Sequence, residues 1–463
     1  MNYISTRGKA PALGFEDVVL AGLASDGGLY VPETIPQFTP QQIAGLSALS
    51  YRELALEIMR PYVGDALTDT ELASIINASY DSFRHEAIAP LTQLGSNEWL
   101  LELFHGPTLA FKDFALQFLG RLVDHFLIRR DESVVVLGAT SGDTGSAALE
   151  GVRGRSRIQS FILFPHGRVS EVQRRQMTTI PDANVHNIAL KGTFDDCQDI
   201  VKSLFADADF RRQHQLVAVN SINWARILAQ VVYYFYAALR LGAPAREINF
   251  CVPTGNFGDI FAGYIAHKMG LPIKRLIIAT NSNDILARCL HSGSYGMQGV
   301  HPTLSPSMYI QISSNFERLL FDLYGRDGAA IDALMQQFRT DKSITLRDDV
   351  LQQFRTLFDA ASVDDATTQA TIQSVYQTTG ELLDPHSAVG VYAARACHPH
   401  KDSPLVTLAT AHPAKFPDAV KAASGVHPAL PEHLADLFER PERFEVVENQ
   451  LDTIKQFVAE HKQ

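Results

Sequence analysis

The chain has 463 residues and 51.0 kDa, which at about 150 residues per domain leaves room for about three compact units and excludes a small stapled scaffold. With 46% hydrophobic and 20% charged residues it lies in the ordinary globular range, neither disordered nor fibrous. A net charge of −11 opposes nonspecific binding to nucleic acid or to an anionic membrane, but not a small anionic ligand held at a locally positive site. Met1 to Leu20 is interrupted by Arg7, Lys9, Glu16 and Asp17 and offers no signal-peptide core. Residues 1–96 read as mostly helical. Ser50 and Thr68 each stand three positions before a glutamate, Glu53 and Glu71, the spacing at which hydroxyl and carboxylate satisfy the free amides of a helix start.

The segment Phe104 to Leu119 begins with turn residues and becomes a helix whose apolar stripe is Phe111, Phe114, Ala115 and Phe118. Lys112 therefore opens a helix among aromatic neighbours, where burial and the positive helix end favour the neutral, nucleophilic amine. A lysine on a solvated face fits the same local pattern. From Val134 the chain changes character. Short β-branched runs at 134–137, 161–164, 217–220, 248–252, 276–279 and 405–408 alternate with helical stretches, which predicts parallel sheets covered on both faces.

Two strand-to-helix junctions are rich in small residues, Gly138 to Gly145 and Pro253 to Asp259. Glycine lets the backbone approach an anion closely, and a helix start offers free amides, so both suit phosphate; empty tight turns are the alternative. Neither has the Walker lysine nor the G-x-G-x-x-G spacing. Asn220 to Arg226 follows a strand and supplies amide, hydroxyl and guanidinium donors for an anion, or simply caps a helix. The apolar run Val231 to Leu239 is too short for the roughly 20 residues of a bilayer span. Residues from about 314 to 380 lose the strands and read as a helical insertion. Cys397-His398-Pro399-His400 has no fourth ligand nearby and reads as a surface loop rather than a metal site. Thr410 and His412 follow the last predicted strand, at the carboxyl edge where open α/β sheets bind ligands, although Pro413 alone explains a strand end there. The four cysteines are scattered and predict a reducing, cytoplasmic setting.

Five segments in order carry a family resemblance: Asp26-Gly27-Gly28-Leu29-Tyr30-Val31-Pro32, His105-Gly106-Pro107-Thr108-Leu109-Ala110-Phe111-Lys112-Asp113, Thr140-Ser141-Gly142-Asp143-Thr144-Gly145, Gly255-Asn256-Phe257-Gly258-Asp259 and Thr410-Ala411-His412-Pro413. Together they resemble the threonine synthase family of pyridoxal-phosphate enzymes, over essentially the whole chain, and the insertion resembles that of its fungal and enterobacterial branch. The resemblance implies an α/β fold of pyridoxal-phosphate type II, the tryptophan-synthase-β-like fold, with two open parallel-sheet domains. The expected segments are an N-terminal helical domain (1–96), a large domain in three parts (97–137, 216–313 and 381–463), a small α/β domain (138–215) and a helical insertion (314–380).

The resemblance further implies that Lys112 carries the cofactor, that Gly255, Asn256, Phe257, Gly258 and Asp259 bind its phosphate through loop donors, and that Thr410 faces the pyridine nitrogen. Asp143 stands where many relatives of the fold have Asn, which leaves its role open. Ser141, Asn220, Ser221 and Arg226 are expected to hold the substrate, the last three its phosphate. The activity implied is conversion of O-phosphohomoserine and water to threonine and phosphate by γ-elimination and β-addition of water, in a monomer or homodimer. A phospho-lyase releasing 2-oxobutyrate and a noncatalytic phosphometabolite-binding protein are the alternatives.

Overall fold

The computed structural model describes residues 1–218, 221–398 and 402–462. Its contacts divide the chain into two units, Met1–His105 with Ser221–Pro428, and Gly106–Asn220 with Ala429–Gln463.

The first unit is built on a six-stranded sheet in the order Phe358–Ser362, Ile273–Thr280, Ile248–Pro253, Leu405–Ala409, Glu98–Glu102, Leu91–Gly95, parallel throughout except for the last strand. Ile248–Pro253 and Leu405–Ala409 are buried at every position, which is why they read as continuous apolar runs without alternation. On one face the helix Pro385–Cys397 sets Val389, Ala393 and Ala394 against Cys251, Ile277 and Leu405. The helix Trp224–Arg240 is buried from Trp224 to Leu239, so its apolar character is that of an enclosed core helix. Among the described residues no helix is long and apolar enough to cross a membrane.

Both capping boxes form as expected: Ser50 accepts from the Glu53 amide while Glu53 accepts from the Ser50 amide, and Thr68 and Glu71 do the same. The remainder of the N-terminal segment is less helical than expected. Asn2–Ser5, Leu13–Gly14 and Tyr30–Pro32 form a three-stranded antiparallel sheet, from strands too short to show a period. The stretch 314–380 also needs correction, because it contains Phe358–Ser362, which pairs in parallel with Ile273–Thr280 as an edge strand of the main sheet. Its Asp359, Ala360, Ala361 and Ser362 are small or polar and give no strand signal.

The second unit is a five-stranded parallel sheet in the order Glu445–Glu448, Val185–Lys191, Ile158–Pro165, Val134–Ala139, Leu216–Ala218. Val135, Leu137, Phe161, Leu163, Ile188 and Leu190 pack one face of it on Ile454, Phe457 and Val458 of the C-terminal helix Leu451–His461. Here the contact division departs from the expected segments, which set 97–137, 216–313 and 381–463 in the large domain: residues 106–137, 216–218 and 429–463 group with the smaller sheet. The reason is close packing of the helix Lys112–Arg130 on Asp143–Val152. A Cβ on Gly120 would lie 2.7 Å from the carbonyl carbon of Gly151, and one on Gly151 would lie 2.9 Å from that of Leu116. Only glycine at both points lets the two backbones touch.

Candidate active site

In the second unit, Lys112 is the first residue of its helix, whose N-cap residue Phe111 makes no side-chain cap. The turn before it is shaped by Asp113, which is fully buried and accepts from the Thr108 amide at 2.8 Å and the Thr108 hydroxyl at 2.6 Å. The Lys112 side chain is 12% exposed, and its Nζ lies 3.8 Å from Oδ2 of Asp143. Asp143 in turn opens the helix Asp143–Val152 and accepts at Oδ1 from Nε2 of Gln173, 2.9 Å away. Thr140 closes the preceding loop by accepting from the amides of Gly142 and Gly145. Ser141, at the tip of that loop, is exposed. The arrangement makes Asp143 the counter-ion of the Lys112 amine, held in place from behind by Gln173. Local sequence gave no sign of Gln173, which lies thirty residues further along the chain.

In the first unit, the segment 254–257 leaves the strand Ile248–Pro253 and turns into the helix Gly258–Lys268 through Phe257, whose φ is 64°. The N-cap residue Phe257 makes no side-chain cap to this helix, and its first amides suit an anion. The loop is fixed from outside: the Ser313 hydroxyl donates to the Gly255 carbonyl at 2.6 Å, and the Asn315 amide to the Asn256 carbonyl at 3.0 Å. The Asp259 carboxyl points inward instead. Its Oδ1 accepts from the hydroxyls of Tyr233 at 2.6 Å and Tyr234 at 3.0 Å, and its buried Oδ2 has no hydrogen-bond partner among the described residues. Burial pushes this carboxyl up to about 7, against the two tyrosine bonds, which pull it down. Asp259 can therefore meet a phosphate only through its backbone.

Asn223 caps the helix Trp224–Arg240 by accepting from the Ala225 amide at 3.0 Å, which sets Arg226 in the first turn. Arg226 is buried, and burial lowers its guanidinium to about 10, still charged at neutral pH. The Ser221 hydroxyl lies 3.2 Å from that of Ser314, and the Ser314 hydroxyl donates to Oδ1 of Asn256 at 3.4 Å. Ser314 is a polar neighbour of two expected site residues that the sequence reading did not single out. Asn220 lies outside the described residues.

Thr410 is buried directly after the strand Leu405–Ala409, at its carboxyl end. Two residues on, Nδ1 of His412 accepts from the Ala414 amide at 3.1 Å. Burial, reinforced by repulsion from His105, pushes the His412 imidazole down to about 4, so it is neutral at ordinary pH.

Comparison with known proteins gives a consistent result along the chain. Family models match for the threonine synthase N terminus over residues 2–80, a pyridoxal-phosphate dependent enzyme over 84–411, and the threonine synthase C-terminal region over 387–458. Threonine synthase of Pseudomonas aeruginosa is 60% identical over 462 residues, covering 100% of this chain and 98% of that one. Among solved structures, threonine synthase from Brucella melitensis with bound pyridoxal phosphate superposes with a TM-score of 0.98 at 55% identity, covering 100% of both chains. The yeast threonine synthase structure gives 0.95 at 43% identity, covering 99% of this chain and 98% of its own. The expected pyridoxal-phosphate type II fold is borne out. The chain belongs to the threonine synthase family of pyridoxal-phosphate dependent enzymes.

Proposed function

We propose that the protein converts O-phosphohomoserine and water to L-threonine and phosphate. The observation that carries this reading is the Lys112 amine, beside the Asp143 carboxylate at the start of a helix, in a chain that matches the family from end to end. The residues present suit the cofactor: an amine for its aldehyde, the start of the helix Gly258–Lys268 for its phosphate, and a buried hydroxyl on Thr410 for its ring nitrogen.

Bound pyridoxal phosphate supplies an electron sink for charge left on carbon when a proton is removed. In this proposal Lys112 would hold the cofactor through its amine, and Nζ, once free, takes the proton from Cα. Asp143 stabilises the resulting ammonium. A hydroxyl at Thr410 accepts or donates without imposing a charge on the ring nitrogen, unlike a carboxylate, and so keeps the sink mild. Arg226 and Ser221, with Asn220, hold the substrate phosphate; the planar guanidinium offers two parallel N–H donors, and the same groups bind the phosphate as it leaves. Ser141 holds the rest of the substrate. A proton lost from Cβ lets the phosphate leave Cγ, and Cγ takes a proton to become the methyl group. Water gives its hydroxyl to Cβ and its proton to the released phosphate, and a proton returned to Cα completes threonine. The protein is proposed to work in the cytoplasm as a monomer or homodimer.

The test is to incubate the purified protein with pyridoxal phosphate and O-phosphohomoserine and to quantify threonine, phosphate and 2-oxobutyrate. Equal amounts of threonine and phosphate support the synthase. 2-Oxobutyrate as the main product overturns it in favour of a phospho-lyase.

A further inference from the structure

Asn315 stands at the entrance to the helix Phe316–Leu323 and is completely buried. Its carboxamide nitrogen donates to the carbonyl oxygens of Ser221 and of Asn256, each at 3.0 Å. Its backbone amide donates to the same Asn256 carbonyl, also at 3.0 Å. Both hydrogens of one amide are therefore used on two loops far apart in sequence, one leading into Trp224–Arg240 and the other into Gly258–Lys268. The remaining atom, Oδ1, accepts from Arg318, itself buried and donating also to the carbonyls of Tyr30 and Ile222. A guanidinium at Oδ1 fixes the orientation of the amide, because the flipped form would set donor against donor.

A peptide unit is planar and trans, so pinning a carbonyl also aims the N–H of the next residue in the opposite direction. The bond to the Asn256 carbonyl aims the amide of Phe257, and the bond to the Ser221 carbonyl aims that of Ile222. We propose that Asn315, held by Arg318, is a positioning residue that couples the cofactor-phosphate loop to the substrate-phosphate loop. The inference rests on the reading above, in which residues 255–259 take the cofactor phosphate and Ser221 and Arg226 take that of the substrate. It adds a role in positioning ligand to the start of the stretch 314–380, whose Phe316 and Leu319 also pack into the core.

The experiment titrates the full chain, stripped of cofactor, with pyridoxal phosphate and with pyridoxal, which lacks the phosphate. For Asn315→Ala and the isosteric Asn315→Asp, affinity for pyridoxal phosphate should fall by about tenfold or more, while affinity for pyridoxal stays within about twofold of wild type. Inhibition by inorganic phosphate should weaken in the same variants. An equal loss for both ligands, or no loss, overturns the proposal while leaving the loop assignment intact. A wild-type chain that shows no preference for pyridoxal phosphate over pyridoxal overturns the loop assignment and the proposal with it. If neither variant folds, hydrogen exchange on the wild-type protein decides: removing pyridoxal phosphate should speed exchange at residues 222–226 as well as 257–259. Acceleration confined to 257–259 overturns the coupling.

Discussion

The amine of Lys112 and the carboxylate of Asp143 lie 3.8 Å apart, each at the first position of its own helix. Asp143 is thereby an electrostatic partner of the lysine, a role for which asparagine lacks the charge. Asp143→Asn retains an oxygen for Gln173 but removes the charge that stabilises an ammonium, so kcat should fall by about tenfold or more with the fold unchanged. An unaltered kcat would show the charge to be idle. Lys112→Ala should abolish turnover and borohydride labelling together, and near-normal activity would refute the role given to this lysine.

Gly142 has a φ of 143°, and a Cβ there would run into the carboxamide of Gln173, the group that holds Asp143. Gly142→Ala should therefore cost about 1–3 kcal/mol of stability from backbone strain and lower kcat through displacement of Asp143. Thermal melts and initial rates measure both. A variant with lower stability and full activity would separate Gln173 from the chemistry.

Arg226 is buried and charged in the first turn of its helix. Arg226→Ala should raise KM for O-phosphohomoserine by roughly 10- to 100-fold, and Arg226→Lys should recover only part of this, because an ammonium lacks the two-pronged geometry. Unchanged kcat and KM would remove Arg226 from the site.

Asp259 gives the protein a signature in its stability. Burial raises its carboxyl from 3.8 to about 7, so between about pH 4 and pH 7 the folded chain keeps a proton that the unfolded chain has released. The folded state binds more protons there, and this contribution to stability falls as pH rises through the window. Asp259→Asn keeps an acceptor for Tyr233 and Tyr234 and should gain in Tm relative to wild type as pH rises from about 5 to about 8. Parallel Tm curves for the two proteins would show that the carboxyl titrates normally.

Much of this was legible in the sequence because its signals are local. Ser50 and Glu53 announce a helix start within four residues, the run at 248–252 announces a buried parallel strand, and the turn residues before Lys112 place that lysine at a helix end. What escaped depends on partners distant in the chain. Phe358–Ser362 becomes a strand because Ile273–Thr280 offers it a free edge, not because its own residues favour one. Asn315 reads as an unremarkable polar residue until Ser221 and Asn256 are brought to it, and Gln173, which closes a local capping box with Ser170, meets Asp143 only through the fold. The helix Lys112–Arg130 groups with the smaller sheet through contacts at Gly120 and Gly151 that no periodicity reveals.

The most direct test of the central claim is the product balance of the purified protein, loaded with pyridoxal phosphate and supplied with O-phosphohomoserine. The account predicts threonine and phosphate in equal amounts, with Lys112→Ala producing neither. Phosphate accompanied mainly by 2-oxobutyrate, or turnover that survives Lys112→Ala, would contradict it.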